Sequence, residues 1–158
     1  SVAPRPVFGH GLVFATVDRD RPELWAIRLN GKGDVTQTHI EWKSIRSMPQ
    51  RCSPLLVGDL LFVVNRGGIA SCLEAKTGEV VWKERLKGAY SASPIYAEGR
   101  IYLFNEEGLT TVIRPTRKLE VIASNVLARQ PFMATPAVDG DAFIMRTGGY
   151  LYRVEAQQ

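Results

Sequence analysis

A unit of about forty residues recurs along this 158-residue chain and constrains its fold more than any other feature. Three copies open with a Ser-Pro or Thr-Pro pair, and their prolines, Pro54, Pro94 and Pro136, are 40 and 42 residues apart. After each proline the sequence reads as a short apolar strand, a Gly turn, a second apolar strand, another Gly turn and a third strand. A weaker copy begins at Pro6, 48 residues before Pro54. The chain is therefore expected to be a series of small antiparallel sheets.

A fixed period of this length made only of strands predicts an all-β fold, a β-propeller built from four-stranded antiparallel blades. The copies predict about four blades, at residues 4–52, 53–92, 93–134 and 135–158, and 15 strands because the last unit has three. Strands such as residues 60–64 are apolar at every position, as expected where both faces of a sheet are buried. We expect half of a seven- or eight-bladed propeller; a closed four-bladed ring is the alternative.

The apolar blades also predict an assembly. In an open row of blades, the outer faces of the first and last blades would be exposed to water, and soluble proteins rarely expose large apolar patches. We therefore expect the chain to pair with the missing half of the propeller or with a second copy.

Composition and charge exclude some classes of function. The chain is 45% apolar and 23% charged, which is typical of a soluble globular protein. Its net charge of +4 is modest and its basic residues are spread out, so we do not expect nucleic-acid binding. No run approaches the ~18 apolar residues of a membrane-spanning helix. There is no signal segment at the N-terminus, so any such segment was removed or lies outside this chain.

The two cysteines are predicted to be free thiols. Cys52 precedes the first strand of the second unit, and Cys72 lies on its third strand. Two strand spacings amount to roughly 9.5 Å, whereas a disulfide tolerates a Cα–Cα distance of no more than ~7 Å. Their spacing does not fit a metal-binding motif either.

One segment of the second unit matches a known repeat. Residues 74–82 read EAKTGEVVW. This resembles the repeat of the pyrroloquinoline-quinone-like (quinoprotein alcohol dehydrogenase-like) β-propeller family, a pattern close to Ala-x-Asp-x-x-Thr-Gly-x-x-x-Trp. Thr77, Gly78 and Trp82 match the pattern directly. In the family the Trp docks on the Thr-Gly peptide of a neighbouring blade, so the resemblance implies that Trp82 joins two blades.

The other units depart from this pattern. The first unit reaches Trp42 only after an insertion, the third has Ile122 at the Trp position, and the fourth stops before that position. The docking signature is thus complete in one unit of four. Residues 151–154, LYRV, resemble a C-terminal strand of secreted bacterial members. The resemblance therefore implies the C-terminal half of such a protein, in the periplasm or secreted.

Catalytic members of this superfamily hold the quinone beneath a disulfide of adjacent cysteines, with Ca²⁺ or a lanthanide bound by carboxylate and Asn side chains. This chain has no adjacent cysteines. Its nearest approach to a calcium loop, DRDR at residues 18–21, lacks further oxygen ligands. Asp139, Asp141, His10 and His39 lie in predicted turns or insertions without a nucleophile nearby. We therefore expect no catalytic, cofactor-binding or metal-binding residues.

The segments that lead into each first strand form one rim of the predicted propeller. They carry Arg, Met and aromatic side chains, a composition enriched at protein interfaces, and loops on rigid scaffolds often carry function. Arg51, Tyr90, Arg129 and Phe132 are the candidate binding residues. For Tyr90 and Phe132 the alternative is that they fill gaps between blades.

These observations predict a non-catalytic interaction scaffold outside the cytoplasm, with a protein or carbohydrate partner. The alternative is a fragment of a quinoprotein-type dehydrogenase. In that case the blades that bind pyrroloquinoline quinone and calcium would lie outside this chain.

Overall fold

The fold consists of small antiparallel sheets that follow one another along the chain. The computed structural model describes residues 3–18, 21–46, 48–127 and 130–155, and contains 15 strands and no helix in those ranges. Blade 1 consists of β1 (Val7–Gly9), β2 (Leu12–Asp18), β3 (Pro22–Arg28) and β4 (Ile40–Ser44). Blade 2 consists of β5 (Leu55–Val57), β6 (Leu60–Val64), β7 (Ile69–Glu74) and β8 (Val80–Arg85).

The second half of the chain repeats this plan. Blade 3 consists of β9 (Ile95–Ala97), β10 (Arg100–Phe104), β11 (Leu109–Ile113) and β12 (Val121–Val126). Blade 4 has three strands in the described residues, β13 (Ala137–Asp139), β14 (Ala142–Arg146) and β15 (Leu151–Glu155). Within each blade the strands pair in sequence order and antiparallel. The predicted all-β architecture of about four propeller blades is therefore confirmed.

The blades form a row in which the first strand of each blade is innermost. Strand β1 contacts β5, and β5 contacts β9. Blades 3 and 4 meet through side chains, with the rings of Tyr102 and Phe143 4.8 Å apart. In the described part of the chain, no strand of blade 1 contacts a strand of blade 4. The described blades are thus an open row, in contrast to the closed four-bladed ring considered above.

Three apolar clusters join the four blades, one at each junction. Strand β6 shows why its sequence is apolar throughout. Leu61 and Val63 belong to the cluster shared with blade 1, whereas Phe62 and Val64 belong to the cluster shared with blade 3. Because successive side chains of a strand point to opposite faces, a blade between two neighbours needs apolar residues at every position.

The two outer faces of the row differ. On blade 1, Phe8 is 78% exposed, although its counterpart in blade 2, Leu56, packs against blade 1. On the outer face of blade 4, Arg153 instead pairs with Asp139 at 2.6 Å and with Glu155 at 3.3 Å. Leu151 lies on the same face of β15 as Arg153 and is 72% exposed, so the outer face of blade 4 carries both apolar and charged side chains.

Strand β12 begins at Val121, after a loop that follows β11. Residues 114–120 form a loop, in which the backbone N–H of Arg114 donates to the carbonyl of Glu120 and the hydroxyl of Thr116 donates to the carbonyl of Lys118. These bonds keep the chain out of the sheet until Val121.

The described residues contain no helix long and apolar enough to cross a membrane.

Candidate binding rim

The loops of the row lie at two ends. The linkers between blades and the turns after β2, β6, β10 and β14 lie at one end, here called the linker end. The turns after the first and third strand of each blade lie at the opposite end, here called the hairpin end. This separation follows from strands that run antiparallel in sequence order.

A ladder of hydroxyl groups connects successive linkers. The backbone N–H of Arg5 donates to Ser53 Oγ, that of Ser53 to Ser93 Oγ, and that of Ser93 to Thr135 Oγ1, each at 2.9 Å. Each donor is the residue before a proline, and each acceptor is the equivalent residue of the next blade. The Ser/Thr-Pro pairs that mark the repeat therefore tie each blade to the next. Sequence reasoning located these pairs but did not identify this role.

The linkers that follow blades 2 and 3 are also fixed to a neighbouring turn. The backbone N–H of Tyr90 donates to the carbonyl of Arg66 at 3.0 Å, and that of Phe132 donates to the carbonyl of Glu106 at 3.0 Å. The N–H of Glu106 in turn donates to the carbonyl of Ala89 at 2.7 Å. The linker end is thus a hydrogen-bonded rim held on the sheets.

Of the four predicted rim residues, two are not at the surface. Tyr90 is 0% exposed and Phe132 is 1% exposed. Burial raises the pKa of the Tyr90 phenol, and Phe132 packs on Phe104 with ring centroids 5.6 Å apart. Both side chains fill gaps between blades, so their assignment as surface binding residues is corrected. Arg51 is exposed, and Arg129 lies outside the described residues.

A polar network spans the rim from blade 2 to blade 3. The guanidinium of Arg51 donates to Ser91 Oγ at 3.2 Å, and the Ser91 hydroxyl donates to Glu106 Oε1 at 2.6 Å. The same carboxylate oxygen lies 3.8 Å from Nε of Arg66. Sequence reasoning missed Ser91, Arg66 and Glu106. The 40-residue spacing of Arg51 and Ser91, and of Arg66 and Glu106, was the signal that could have found them.

Two open clefts lie on the described part of the rim. One lies at the junction of blades 1 and 2 and encloses about 300 Å³; we call it the arginine cleft, and its lining includes Arg21, Ile45, Met48, Gln50, Asn65 and Arg66. The other lies beside the last strand of blade 3 and encloses about 600 Å³. We call it the glutamate cleft, and its lining includes Lys87, Glu106, Glu107, Val126 and Gln130. The arginine cleft is lined by two arginines, whereas the glutamate cleft is lined by two glutamates and one lysine.

Two tryptophans join blades at the hairpin end. The indole N–H of Trp42 donates to the carbonyl of Ala75 at 2.9 Å, and that of Trp82 donates to the carbonyl of Thr116 at 3.1 Å. A Cβ at Gly78 would come within 2.6 Å of the Trp42 ring. Trp42 therefore lies on the Thr77-Gly78 peptide, although sequence reasoning found the docking signature complete in only one unit.

The register of blade 3 also corrects the predicted Trp position. Cys72 pairs with Trp82 across β7 and β8, and Val112 pairs with Ala123 at the equivalent place in blade 3. Ala123 rather than Ile122 thus stands at the Trp position. Both blades have a bulge here, and the difference arises because Ile113 pairs with Val121, eight residues on, whereas Leu73 pairs with Val80, seven residues on.

The cysteines and the possible metal ligands were compared with the features of a quinone-type redox centre. Cys52 and Cys72 are free, as predicted. Both are also buried, and burial raises the pKa of each thiol to about 12. No group of three or more His, Cys, Asp or Glu side chains in the described ranges could hold a metal ion. The turn residues have local partners: His10 Nε2 lies 2.9 Å from the carbonyl oxygen of Gly58, and Asp139 accepts from Arg153.

Comparison with known proteins places the chain in a family. The family profile described as outer membrane protein assembly factor BamB matches residues 9–158. The chain belongs to this BamB family of PQQ-like repeats. No curated protein matches the sequence significantly.

Solved structures similar to this BamB-family chain include assembly factors and dehydrogenases. BamB from Moraxella catarrhalis matches with a TM-score of 0.72 and 15% identity, over 92% of this chain and 43% of that one. The quinohemoprotein alcohol dehydrogenase ADHIIG from Pseudomonas putida HK5 matches with a TM-score of 0.69 and 12% identity, over 92% and 28%. A europium-containing methanol dehydrogenase matches with a TM-score of 0.59 and 12% identity, over 75% and 23%.

These structural matches show the fold of the BamB-family chain. The chain spans less than half the length of each of the three structures. The PQQ-like repeat inferred from Thr77, Gly78 and Trp82 is confirmed by the family match.

Proposed function

We propose that this chain is part of a non-catalytic scaffold that binds protein partners outside the cytoplasm, in the periplasm or after secretion. The family to which it belongs is described as an assembly factor for outer membrane proteins. Under this proposal the chain holds no cofactor, and its role is to position another protein. The family match favours a protein partner over the carbohydrate considered from the sequence.

The observation that carries the proposal is the construction of the linker end. Its backbone is fixed by bonds such as Tyr90 N–H to the Arg66 carbonyl, and it presents exposed guanidinium groups at Arg51 and Arg66. A fixed backbone with exposed Arg side chains suits protein recognition, because little conformational entropy is lost on binding. Both cysteines, in contrast, lie in the apolar cluster between blades 2 and 3.

A complementation experiment tests this function. Loss of the gene in the source organism is expected to lower the amount of folded outer membrane β-barrel proteins, and the full-length protein is expected to restore it. Arg51→Glu is expected to restore it poorly, whereas Lys76→Glu, an exposed charge reversal at the hairpin end, restores it fully. Unchanged outer membrane proteins after gene loss would contradict the proposal.

The dehydrogenase alternative has its own test. A ligand that binds only the native state raises the melting temperature. The full-length protein is expected to melt at the same temperature with and without saturating pyrroloquinoline quinone and Ca²⁺. A clear upward shift, together with quinone-dependent dye reduction, would replace the scaffold proposal by an enzymatic function.

A further inference from the structure

We propose that the arginine cleft binds a carboxylate-rich, extended segment of the protein partner. This inference rests on the proposed function, because it names the part of the rim and the kind of segment that it takes. The cleft lies at the junction of blades 1 and 2 and is defined by the lining residues given above.

The cleft occurs at the junction that lacks the buried aromatic residue found at the other two junctions. Tyr90 and Phe132 each stand three residues before a Ser/Thr-Pro pair, and each fills its junction. At the junction of blades 1 and 2 the equivalent residue is Gln50, whose side chain is exposed. Met48 is buried in the cluster beneath it. We call the position of Tyr90, Phe132 and Gln50 in each linker the plug position. Because Gln50 is polar and exposed, about 300 Å³ at this junction remain open to solvent.

The charges of the cleft select the ligand. Arg21 and Arg66 line it, and both side chains are exposed. Among the described residues, the Arg66 guanidinium pairs with Glu106 at 3.8 Å, and that carboxylate also accepts a hydrogen bond from Ser91. Guanidinium groups bind carboxylates through paired N–H donors. The two guanidinium groups that line the cleft thus favour an anionic group of planar geometry.

The remaining lining favours a peptide over a free anion. Ile45 and Met48 offer apolar contact area, and Gln50 and Asn65 offer amide groups that hydrogen-bond to a main chain. A volume of about 300 Å³ is at the lower end of ligand pockets. It accommodates one or two side chains of a segment that runs along the rim. Glu106 and Glu107 disfavour the same segment in the glutamate cleft, so we expect it to bind at blades 1 and 2.

The test uses the full-length protein and a short labelled peptide rich in Glu with interspersed Leu, measured by fluorescence anisotropy. The peptide is expected to bind, to weaken as salt rises, and to bind roughly tenfold more weakly to the double variant Arg21→Glu/Arg66→Glu. Gln50→Tyr is expected to weaken binding as strongly without any change of charge, because it restores the aromatic plug. Lys76→Glu and a Lys-rich peptide serve as controls.

Each outcome decides a point. Equal binding of the Glu-rich and Lys-rich peptides, or unchanged binding to Arg21→Glu/Arg66→Glu, would overturn the inference. Binding of inorganic polyphosphate but not of the peptide would assign the cleft to phosphate ligands and overturn it as well. If Gln50→Tyr does not fold, Gln50→Phe and the double charge variant still decide.

The inference and the proposed function can fail separately. If Arg51→Glu abolishes complementation while Arg21→Glu/Arg66→Glu complements fully, the scaffold function stands and the cleft assignment is wrong. If gene loss leaves outer membrane proteins unchanged while the Glu-rich peptide binds the cleft, the proposed function fails alone.

Discussion

The junction between blades 1 and 2 and the junction between blades 2 and 3 are joined in the same way and filled differently. Each has a tryptophan at the hairpin end, Trp42 or Trp82, that donates to a carbonyl of the next blade. Each has a hydroxyl acceptor, Ser53 or Ser93, that receives the backbone N–H of the preceding linker. At the linker end, however, one junction is closed by a buried aromatic ring and the other is open.

Within one repeat, different positions therefore serve stability and recognition. The residues that hold blades together are repeated, because every junction needs them. The plug position is not repeated in chemical character: it holds Tyr90 in one junction and Gln50 in the other. An open cleft at one junction is tolerated because Met48 completes the core beneath it.

The largest expected difference between the two junctions comes from the plug itself. Tyr90→Ala is expected to lower the free energy of unfolding by about 3–5 kcal/mol, because it leaves a large cavity at a fully buried site. Gln50→Ala, at the equivalent exposed position, is expected to change it by less than about 0.5 kcal/mol. Chemical denaturation of both variants checks this. Similar losses would mean that Gln50 also fills its junction.

The tryptophan contact gives the next largest effect. Gly78→Ala is expected to cost about 2–4 kcal/mol, because a Cβ would be 2.6 Å from the Trp42 ring and the backbone φ is +74°. Gly58→Ala is a matched control, since its φ is +58° and a Cβ there would have nothing within 4 Å. The control is expected to cost only about 1 kcal/mol, from backbone strain. Equal losses in the denaturation midpoint would show that Trp42 does not depend on this glycine.

The hydroxyl ladder is expected to contribute less. Ser93→Ala removes the acceptor for the Ser53 N–H and is expected to cost about 1 kcal/mol. Ser71 provides the control, because its buried hydroxyl oxygen has no hydrogen-bond partner in the described structure. Ser71→Ala is expected to be neutral or stabilising. A destabilised Ser71→Ala together with an unaffected Ser93→Ala would contradict the ladder.

The thiols report on closure of the junction between blades 2 and 3. Burial raises the pKa of Cys52 and Cys72 to about 12, above the value of about 8.5 for a free thiol. The two protonated, buried thiols therefore contribute fully to the free energy of unfolding below about pH 8.5. This contribution is lost as the pH rises towards 12. A thiol reagent at pH 8 is expected to leave the native protein unmodified and to react faster with Tyr90→Ala. Rapid labelling of the unaltered protein would show that this junction is open.

Much of the fold could be predicted from the sequence, because Ser/Thr-Pro pairs and Gly turns are local signals that recur at a fixed period. Contacts between blades could not. An insertion in blade 1 separates Trp42 from the rest of the repeat motif. The glycine that Trp42 contacts, Gly78, belongs to the next blade. The linker aromatics were equally compatible with surface and core, and only their burial decided between the two. The cleft at Gln50 became visible once the three linkers were compared by burial as well as by sequence.

Site-specific photo-crosslinking in the source organism tests the central claim most directly. A photoreactive amino acid is placed in the full-length protein at Gln50, in the arginine cleft, or at Lys76, at the hairpin end; both positions are exposed. We expect a discrete adduct with an outer membrane assembly protein from position 50, its loss in the Arg21→Glu/Arg66→Glu background, and no adduct from position 76. An adduct from position 76 alone, or one from position 50 that persists after both charge reversals, would contradict the account.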